Sequence, residues 1–412
     1  MKHPDKYTAK RYDTPNRSAA FTDIVYDNGV QLPRDIGLKQ LQAVQRSLDP
    51  AEPELIPLVG EMHGHTNLSD GQPDIDTYFR NIRDLAKLDF AALTDHDHGG
   101  VGTPALWAGE PSKWDLIRQK VNEYQQDGKF STLLAYERDS YPFYNNLVLY
   151  FRDRDAQMIR GVRDGEFTEE ELRAVLARED VIACPHDTYT LSSNADFMTL
   201  PKDLITPFVE VISRGDAAEY MGNPAEWKDA VCEGGFWQDA LRRGVKMGVI
   251  GGGDDHRGMN GRVDDSLPYP ENYPGVTGVW ARENTPAAIF EALKAKRTYA
   301  FMMGKADGAM GGRMEIDFRI NGHYMGETIQ RPDSRDLHIF YRVRADVPIR
   351  RVTIVKNCRN YIALRRESEL ILDYRQETET DCYYLRVELT DGRFGWTSPV
   401  WVEGEPHKLQ AD

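Results

Sequence analysis

The sequence has few cysteines and no long apolar run. Four cysteines occur among 412 residues, and no two of them form a CxxC pair. This scarcity excludes a disulfide framework and favours reduced thiols, as in a cytoplasmic protein. No stretch approaches the ~18 consecutive apolar residues of a membrane span. The polar first residues also lack the apolar segment of a signal peptide. We therefore expect a cytoplasmic protein that does not cross a membrane.

Basic residues are scarce relative to acidic ones. The chain has 51 Lys and Arg against 66 Asp and Glu, which gives a formal net charge of −15. Such a surface repels phosphate backbones, and no basic run offsets it, so we expect no nucleic-acid partner. The same charge opposes an anionic substrate unless bound divalent ions dominate the local field. A GxSxG motif, which would indicate a serine nucleophile, is also missing.

The residue pattern predicts three parts. Residues 1–54 are interpreted as an N-terminal arm with one short helix near 36–47. From 55 to 306, short apolar runs that end in polar residues alternate with helical stretches, which predicts an α/β architecture of parallel strands with crossover helices. Residues 307–412 alternate apolar and polar residues between turn signals, which predicts a small antiparallel β-sandwich. The glycine-rich stretch 304–312 marks the boundary.

Side chains that can bind metals stand where the predicted strands of the α/β part end. Half of the ten histidines fall there, each with an acidic residue nearby, and two glutamates end further strands. These residues are His63, His65, His96, His186, His256, Glu137 and Glu210. In a parallel α/β barrel the carboxyl ends of the strands converge on one face. We therefore expect these side chains to meet, although they are far apart in the sequence.

The HxH spacing of His63 and His65 places both imidazoles on one side of an extended segment. Sites that mix imidazoles and carboxylates suit zinc, manganese or iron, and the pattern does not choose between them. A single strand-end histidine is more often an ordinary structural residue, and Asp70 before Gly71 also fits a simple turn. The joint order of HxH, D, TDH, E, PH and DxH nevertheless indicates a metal site.

Several segments resemble the motifs of a known superfamily. GEMHGHTNLSDG, ALTDHDH, AYERDS, ACPHDT and GGGDDHRG resemble successive motifs of the PHP (polymerase and histidinol phosphatase) superfamily. FVEVISRG, GVTGVWARENTPAAIFEALKAKRTYA, FRINGHYMGE and GWTSPVWV resemble its DUF3604 branch. The resemblance covers residues 55–402. It implies a distorted (β/α)7 barrel of the PHP type, followed by the β-sandwich, with two or three divalent ions at the barrel's active site.

The resemblance also implies a ligand set. The first ion would take His63, His65, Glu137 and Asp254; the second would take Glu137 and His186; and the third would take Asp70, His96 and His256. Asp95 would instead orient an imidazole or a strand end, and Asp255 would not be a ligand. Many PHP proteins have another histidine where this chain has Asn145 or Asn146. Two ions rather than three is therefore an open alternative.

These observations predict a metal-dependent hydrolase, with phosphoric ester hydrolysis favoured. Two ions ~4 Å apart can activate water and hold a phosphoryl oxygen, and arginines can pair with phosphate. The candidate anion-binding arginines are Arg138, Arg214 and Arg257, and the candidate proton donors are His98, Asp187 and Asp255. Glu210 fits either the rim of the site or a helix cap.

The substrate is less well defined than the chemistry. No dense basic cluster identifies a phosphate pocket, so a metal-dependent hydrolase or lyase acting on a lactone, another ester, an amide or a sugar derivative is an alternative. A non-catalytic, metal-stabilised binding module is a third. The expected partner is a small anionic substrate, and assembly into a homo-oligomer is left open.

Overall fold

The computed structural model describes residues 23–26, 30–33, 38–43, 55–99, 102–140, 143–160, 167–190, 195–225, 232–307, 309–334, 336–364, 368–373 and 377–405. Within these ranges the α-helices are α1 (Ile75–Arg80), α2 (Lys113–Tyr124), α3 (Glu169–Leu176), α4 (Trp237–Arg242) and α5 (Pro286–Lys294). A π-helical turn at Asn81–Leu85 continues α1, and a 3₁₀ turn covers Lys202–Leu204. None of the described helices has the length and apolar character that a membrane crossing requires.

The strands of the first three quarters of the chain are β1 (Asp23–Tyr26), β2 (Val30–Pro33), β3 (Leu38–Ala43), β4 (Ile56–Glu61), β5 (Phe90–Leu93), β6 (Ser131–Ser140), β7 (Tyr144–Phe151), β8 (Val181–Pro185), β9 (Phe208–Ser213), β10 (Asp216–Ala217), β11 (Gly248–Gly252), β12 (Gly275–Ala281) and β13 (Thr298–Met302). The remaining strands are β14 (Met314–Ile320), β15 (His323–Tyr324), β16 (Thr328–Gln330), β17 (Asp336–Ala345), β18 (Ile349–Lys356), β19 (Arg359–Leu364), β20 (Ser368–Asp373), β21 (Thr380–Leu389), β22 (Phe394–Thr397) and β23 (Val400–Glu403).

The longer helices begin where the sequence supplies a capping side chain. Ser112 precedes α2 and forms a capping box with Asp115, and Thr168 does the same for α3 with Glu171. Thr285 caps α5, whose first residue is Pro286. These side chains satisfy backbone N–H groups that have no partner within the helix.

Eight strands surround one apolar core, which we call the inner core. This core takes side chains at every second position, such as Leu133 and Ala135 on β6, Ile182 and Cys184 on β8, and Phe208 on β9, together with residues of β4, β5, β7, β11, β12 and α5. Since side chains alternate in a strand, the next residues on the same face lie at the end of this core. Side chains that follow the core residues along these strands therefore lie together, next to the core and toward the carboxyl ends of the strands.

The direction of the strands differs from the expected alternation. β4, β5 and β6 run parallel, as do β9 and β11, but β6, β7 and β8 pair antiparallel, and β12 is antiparallel to β4. Three residues separate β6 from β7, and a parallel crossover needs a dozen or more. The structure is a mixed α/β fold with a large sheet and few helices, and a (β/α)7 barrel is not confirmed.

The large sheet continues from β12 into the last quarter of the chain. β13 pairs with β22, and β22 pairs with β21, which also pairs with β18. A second sheet has the order β15-β14-β17-β20-β3 and consists of antiparallel pairs. The predicted antiparallel strands after residue 307 are therefore present, while the division of the chain at 306 stays a prediction.

The N-terminal arm contributes strands rather than the expected helix. The described part of the segment near 36–47 is β3, which pairs antiparallel with β20. Helix propensity is a weak preference, and pairing with the edge of an existing sheet outweighs it.

Candidate metal centre

Three residues of the site follow directly from the alternation of side chains in the strands around the inner core. Glu137 continues the face of Leu133 and Ala135, and His186 continues the face of Ile182 and Cys184. Glu210 lies two residues after Phe208 on β9. All three side chains are buried. The strands that build the core therefore also position these side chains at its carboxyl end.

The HxH segment is aligned by backbone pairing with the loop after β11. Asp254 N donates to His63 O at 2.9 Å, and His65 N donates to Asp255 O at 3.0 Å. Gly64 and Asp255 form an isolated parallel bridge, and His96 forms another with Glu137. These bridges bring segments that are far apart in the sequence into one site.

The eight predicted ligands come together in one cluster. Their donor atoms fall into three overlapping groups, and within each group these atoms lie within 4.8 Å of one another. The groups are His65, Asp70, His96 and His256; His63, His186 and Asp254; and His63, His65 and Glu137. His63 and His65 each belong to two groups, so the three groups form one continuous site.

Glu137 contacts four imidazoles. Its Oε2 atom is 3.3 Å from His63 Nε2 and 3.2 Å from His65 Nε2. The same oxygen is 3.3 Å from His96 Nδ1, and Oε1 is 2.5 Å from His186 Nε2. This carboxylate therefore joins imidazoles from three separate segments of the chain.

Asp254 supplies the second buried carboxylate, and Asp70 supplies an exposed one. Asp254 Oδ1 is 3.0 Å from His65 Nε2 and 3.6 Å from His63 Nε2. Asp70 Oδ1 is 3.3 Å from His256 Nε2, and the Asp70 side chain is 42% exposed. The site is thus buried at Glu137 and Asp254 and open to solvent at Asp70.

The electrostatics favour charged carboxylates inside the cluster. Burial alone would raise the pKa of Glu137, but the imidazoles of His96, His186 and His63 hold this pKa well below its usual value. Burial acts in the same way on Asp254, whose pKa His63 and Arg214 lower well below its usual value. Both side chains are therefore anionic oxygen donors at neutral pH.

The donor set fits divalent cations. His63 Nε2 and His65 Nε2 are 3.3 Å apart, and both lie within 3.3 Å of Glu137 Oε2. The Nδ1 atoms of His65 and His186 are buried and have no hydrogen-bond partner among the described residues. Burying so many nitrogen and oxygen donors is costly unless a cation compensates them. Imidazole and carboxylate donors together are typical of zinc, manganese and iron sites.

Glu210 orients His63 from within the protein. Glu210 Oε1 is 2.8 Å from His63 Nδ1, which leaves Nε2 facing Glu137. A carboxylate on the far nitrogen of a ligating imidazole fixes the orientation of the ring. Both suggestions from the sequence, a position at the rim or a helix cap, are therefore wrong for this buried residue.

Glu61 is the functional residue that the sequence analysis missed. It is fully buried, and burial raises the pKa of its carboxyl to about 8. Its oxygens accept hydrogen bonds from the backbone N–H groups of His63, Gly253 and Gly261. Glu61 thus ties the HxH segment to the loop that carries Asp254. The only signal in the sequence was a charged residue at the end of an apolar run.

Two glycines of VIGGGDDH are required by close packing rather than by a bend. A Cβ atom on Gly252 would lie 2.5 Å from His63 Cβ, and one on Gly253 would lie 2.7 Å from Glu61 Oε2. Neither glycine has a positive φ angle. Their role is therefore to let β4 approach the loop after β11.

The remaining candidates take different places. Asp95 accepts hydrogen bonds from the backbone and hydroxyl groups of Thr66 and Ser69, so it shapes the loop between His65 and Asp70. Asp255 accepts the backbone N–H groups of Arg257 and Met259 and belongs to a turn.

Arg138 does not point into the site. It is buried, pairs with Asp97 at 3.0 Å and lies over the ring of Phe167. The interpretation of Arg138 as an anion-binding residue is therefore wrong. A buried ion pair to Asp97 is instead a structural contact.

The proposed catalytic residues lie at the edges of the cluster. The ring of His98 is 5.3 Å from that of His96, and Asp187 Oδ1 is 3.9 Å from His186 Nδ1. Arg214 Nη2 is 2.7 Å from Asp254 Oδ2, whereas Arg257 pairs with Asp264 at 2.9 Å. Of the two arginines, Arg214 has the direct contact with the cluster.

Three residues of the site have left-handed backbone conformations. Asp187, Arg214 and Asp254 have φ angles of 51°, 48° and 44°. This conformation costs a non-glycine residue about 1–3 kcal/mol and is concentrated at functional sites. The chain therefore turns sharply at these three residues, just after β8, β9 and β11.

The structure separates the two asparagines near the middle of the cluster. Asn146 Nδ2 is 3.2 Å from His186 Nε2, whereas Asn145 is exposed. We predict that Asn146→His tightens the binding of a divalent ion by at least about tenfold, because an imidazole is a better ligand than an amide. Competition with a chromophoric chelator measures this affinity. Asn145→His is the matched control and should change nothing; equal affinities in wild type and Asn146→His would contradict the prediction.

Comparison with known proteins shows which families and structures this chain resembles. Residues 257–334 match the model of DUF3604, described as a protein of unknown function. Over this segment the chain is similar to the DUF3604 family. The resemblance to DUF3604 expected from the sequence is thereby confirmed over these residues, and the matched segment begins directly after His256.

The chain also resembles curated proteins of Chlamydia that are themselves uncharacterized. It is 23% identical over 370 residues to a protein of Chlamydia pneumoniae and 22% identical over 383 residues to one of Chlamydia muridarum. Each match covers 84% of this chain and 57% of the relative. The chain therefore spans little more than half the length of these relatives.

One solved structure is similar to this chain. It is the crystal structure of a two-domain protein containing a predicted PHP-like metal-dependent phosphoesterase from Bacteroides vulgatus. The match has a TM-score of 0.45 and 14% identity, and it covers 89% of this chain and all of the other. At this level of similarity neither the details of the fold nor the function follow from it.

Proposed function

We propose that this chain is a metal-dependent hydrolase of phosphoric esters with two or three divalent ions. The observation that carries the proposal is that three ligand groups form one continuous site, because His63 and His65 each belong to two of them. Such ions, when bound, would polarise an ester oxygen and lower the pKa of bound water. The eight strands around the inner core would then be a distorted barrel of the PHP type, and the active site would lie at their carboxyl end.

The chain's own side chains perform three tasks in this proposal. Glu210 and Glu61 hold His63 and its backbone in place, which keeps the ligands pre-organised. Arg214 lies between Asp254 and His256 at the open side of the cluster, where a guanidinium can pair with a phosphoryl group. His98 and Asp187 remain the candidate proton donors to the leaving group.

A cavity beside the cluster has room for a small substrate. It has a volume of about 420 Å³, and its lining includes Arg214, Asp254, His256, Arg257, Arg262 and Asn272. Three arginines thus face one space next to the proposed ligands Asp254 and His256. The lining also contains Asp255, Asp264 and Glu271, so an anionic substrate would need bound divalent ions to offset the carboxylates.

Metal analysis combined with turnover tests this function. After loading with Mn²⁺ or Zn²⁺, the protein should hold two or three ions and hydrolyse p-nitrophenyl phosphate, and a chelator should abolish turnover. One ion or none would contradict the metal centre. Two or three ions with cleavage of lactones, but not of phosphate mono- or diesters, would favour the alternative hydrolase.

A variant of Arg214 tests whether this arginine binds the phosphoryl group of the substrate. Arg214→Gln should raise KM for p-nitrophenyl phosphate about 10–100-fold, since one charge-assisted contact to the substrate is lost. Arg350→Gln is the matched control, because Arg350 is an exposed arginine that pairs with Glu388 away from the site. An unchanged KM in Arg214→Gln would remove Arg214 from substrate binding.

A further inference from the structure

A second group of cations surrounds a cavity at the opposite end of the inner strands. The cavity has a volume of about 290 Å³, and the charged residues that line it are Arg178, Lys202, Asp203, Lys246, Lys294 and Lys296. Val181 and Phe208, the first residues of β8 and β9, also line it. His186 and Arg214 follow the last residues of these strands, so the cavity and the metal centre lie at opposite strand ends.

The charge of this cavity is not balanced by its own carboxylate. Asp203 is the one acidic residue in the lining, and its Oδ2 atom pairs with Arg173 at 2.6 Å. Arg178 pairs with Asp180, Lys246 with Glu403 and Lys294 with Glu179. For Lys202 and Lys296, by contrast, the described residues contain no carboxylate within ion-pair distance.

Lys296 occupies a position that normally belongs to glycine. α5 ends at Lys294, and Lys296 N and Arg297 N donate to Leu293 O and Ala292 O. In such a Schellman ending the residue in the left-handed conformation is usually glycine. Lys296 has a φ of 53°, so a lysine is kept here at a conformational cost.

The ammonium group of Lys296 lies near an aromatic ring and is repelled by two other lysines. It is half-buried and stands 5.9 Å from the centre of the Phe208 ring. Burial, followed by the charges of Lys294 and Lys246, lowers the pKa of Lys296. An anion in the cavity would relieve this repulsion, and a void of this size holds a small metabolite.

We propose that this cavity is a second anion-binding site for a small ligand with a phosphate group, held by Lys296, Lys202 and the paired cations around them. This site is independent of the metal centre and of the hydrolase function. Its ligand is a phosphate dianion or phosphate monoester, because five cationic side chains line the cavity while its single carboxylate pairs with Arg173.

Calorimetric titration with inorganic phosphate, at constant ionic strength in chloride buffer, tests this proposal. His63→Ala is used as the background, so that phosphate does not bind at the metal centre. Lys296→Gln in this background should weaken phosphate binding by at least about tenfold, which corresponds to the loss of one charged contact. Lys296→Gly should weaken phosphate binding to the same extent. Since glycine adopts a positive φ without strain, this substitution adds no backbone strain to the folded protein.

Lys87 offers a matched control. It is also a lysine with a positive φ, 56°, directly after a helical segment, but it is exposed and lies outside the cavity lining. Lys87→Gln should bind phosphate like its parent. The proposal would be overturned if the Lys296 variants bound phosphate normally, if Lys87→Gln lost the same affinity, or if His63→Ala alone abolished all binding in otherwise folded protein.

Discussion

His63→Ala is expected to remove most of the bound metal and to lower kcat/KM by at least about 1000-fold, or ~4 kcal/mol of transition-state stabilisation. The reason is that His63 belongs to two of the three ligand groups. Its Nε2 atom faces Glu137 and Asp254, and its Nδ1 atom is held by Glu210. Inductively coupled plasma mass spectrometry of the purified variant, together with steady-state kinetics, measures both effects.

A histidine far from the cluster gives the matched control for this experiment. His323 is half-exposed and pairs with Glu327, so His323→Ala should keep both metal and activity. Glu210→Gln should fall between the two, with a loss of about 10–100-fold, because it alters only the partner of a proposed ligand. Full metal content and normal kinetics in His63→Ala would remove His63 from the centre.

Glu137→Gln is expected to have the second large effect. The amide keeps the shape of the side chain but removes the negative charge that contacts four imidazoles. Since those imidazoles occur in all three groups, we expect the loss of at least two ions and a fall in kcat/KM of at least about 100-fold. Metal stoichiometry distinguishes this outcome from the loss of a single ion.

Glu219 is a suitable control because it is equally buried but lies in a different network. It accepts hydrogen bonds from Tyr384 and Trp396 and pairs with Arg386 at 2.8 Å. Glu219→Gln should lower the melting temperature while leaving the metal content unchanged. If Glu137→Gln behaved in the same way, Glu137 would be a structural residue rather than a ligand.

Much of the candidate site could be predicted from the sequence. Strand-end residues are readable because strands place every second side chain on one face, as with Ala135 and Glu137 or Cys184 and His186. The structure brings all eight proposed ligands together, although it groups them differently from the expected sets: His65 joins Asp70, and Asp254 joins His186. Their role in binding ions stays a prediction that the variants above address.

Contacts between strands could not be predicted from the sequence in the same way. Hydrogen bonds join Glu210 to His63 and Glu61 to Gly253, and in each case the two residues are far apart in the chain. Arg138 and Arg214 each follow the apolar run of a strand in the sequence, yet one pairs with Asp97 inside the protein and the other faces the cluster. No local pattern distinguishes them, because the difference depends on which neighbouring element each side chain meets.

In the fold, too, some features follow from the local sequence and others depend on the tertiary structure. The sequence by itself determined which metal-binding side chains share a strand face with the core and the antiparallel strands after residue 307, because alternation is a local property. Only the tertiary structure decided the antiparallel turn from β6 to β7, the strand β3 in place of a helix, and the sheet shared by β13 and β22. Strand partners are chosen by hydrogen bonds and packing across the whole chain, and a linear pattern does not contain that choice.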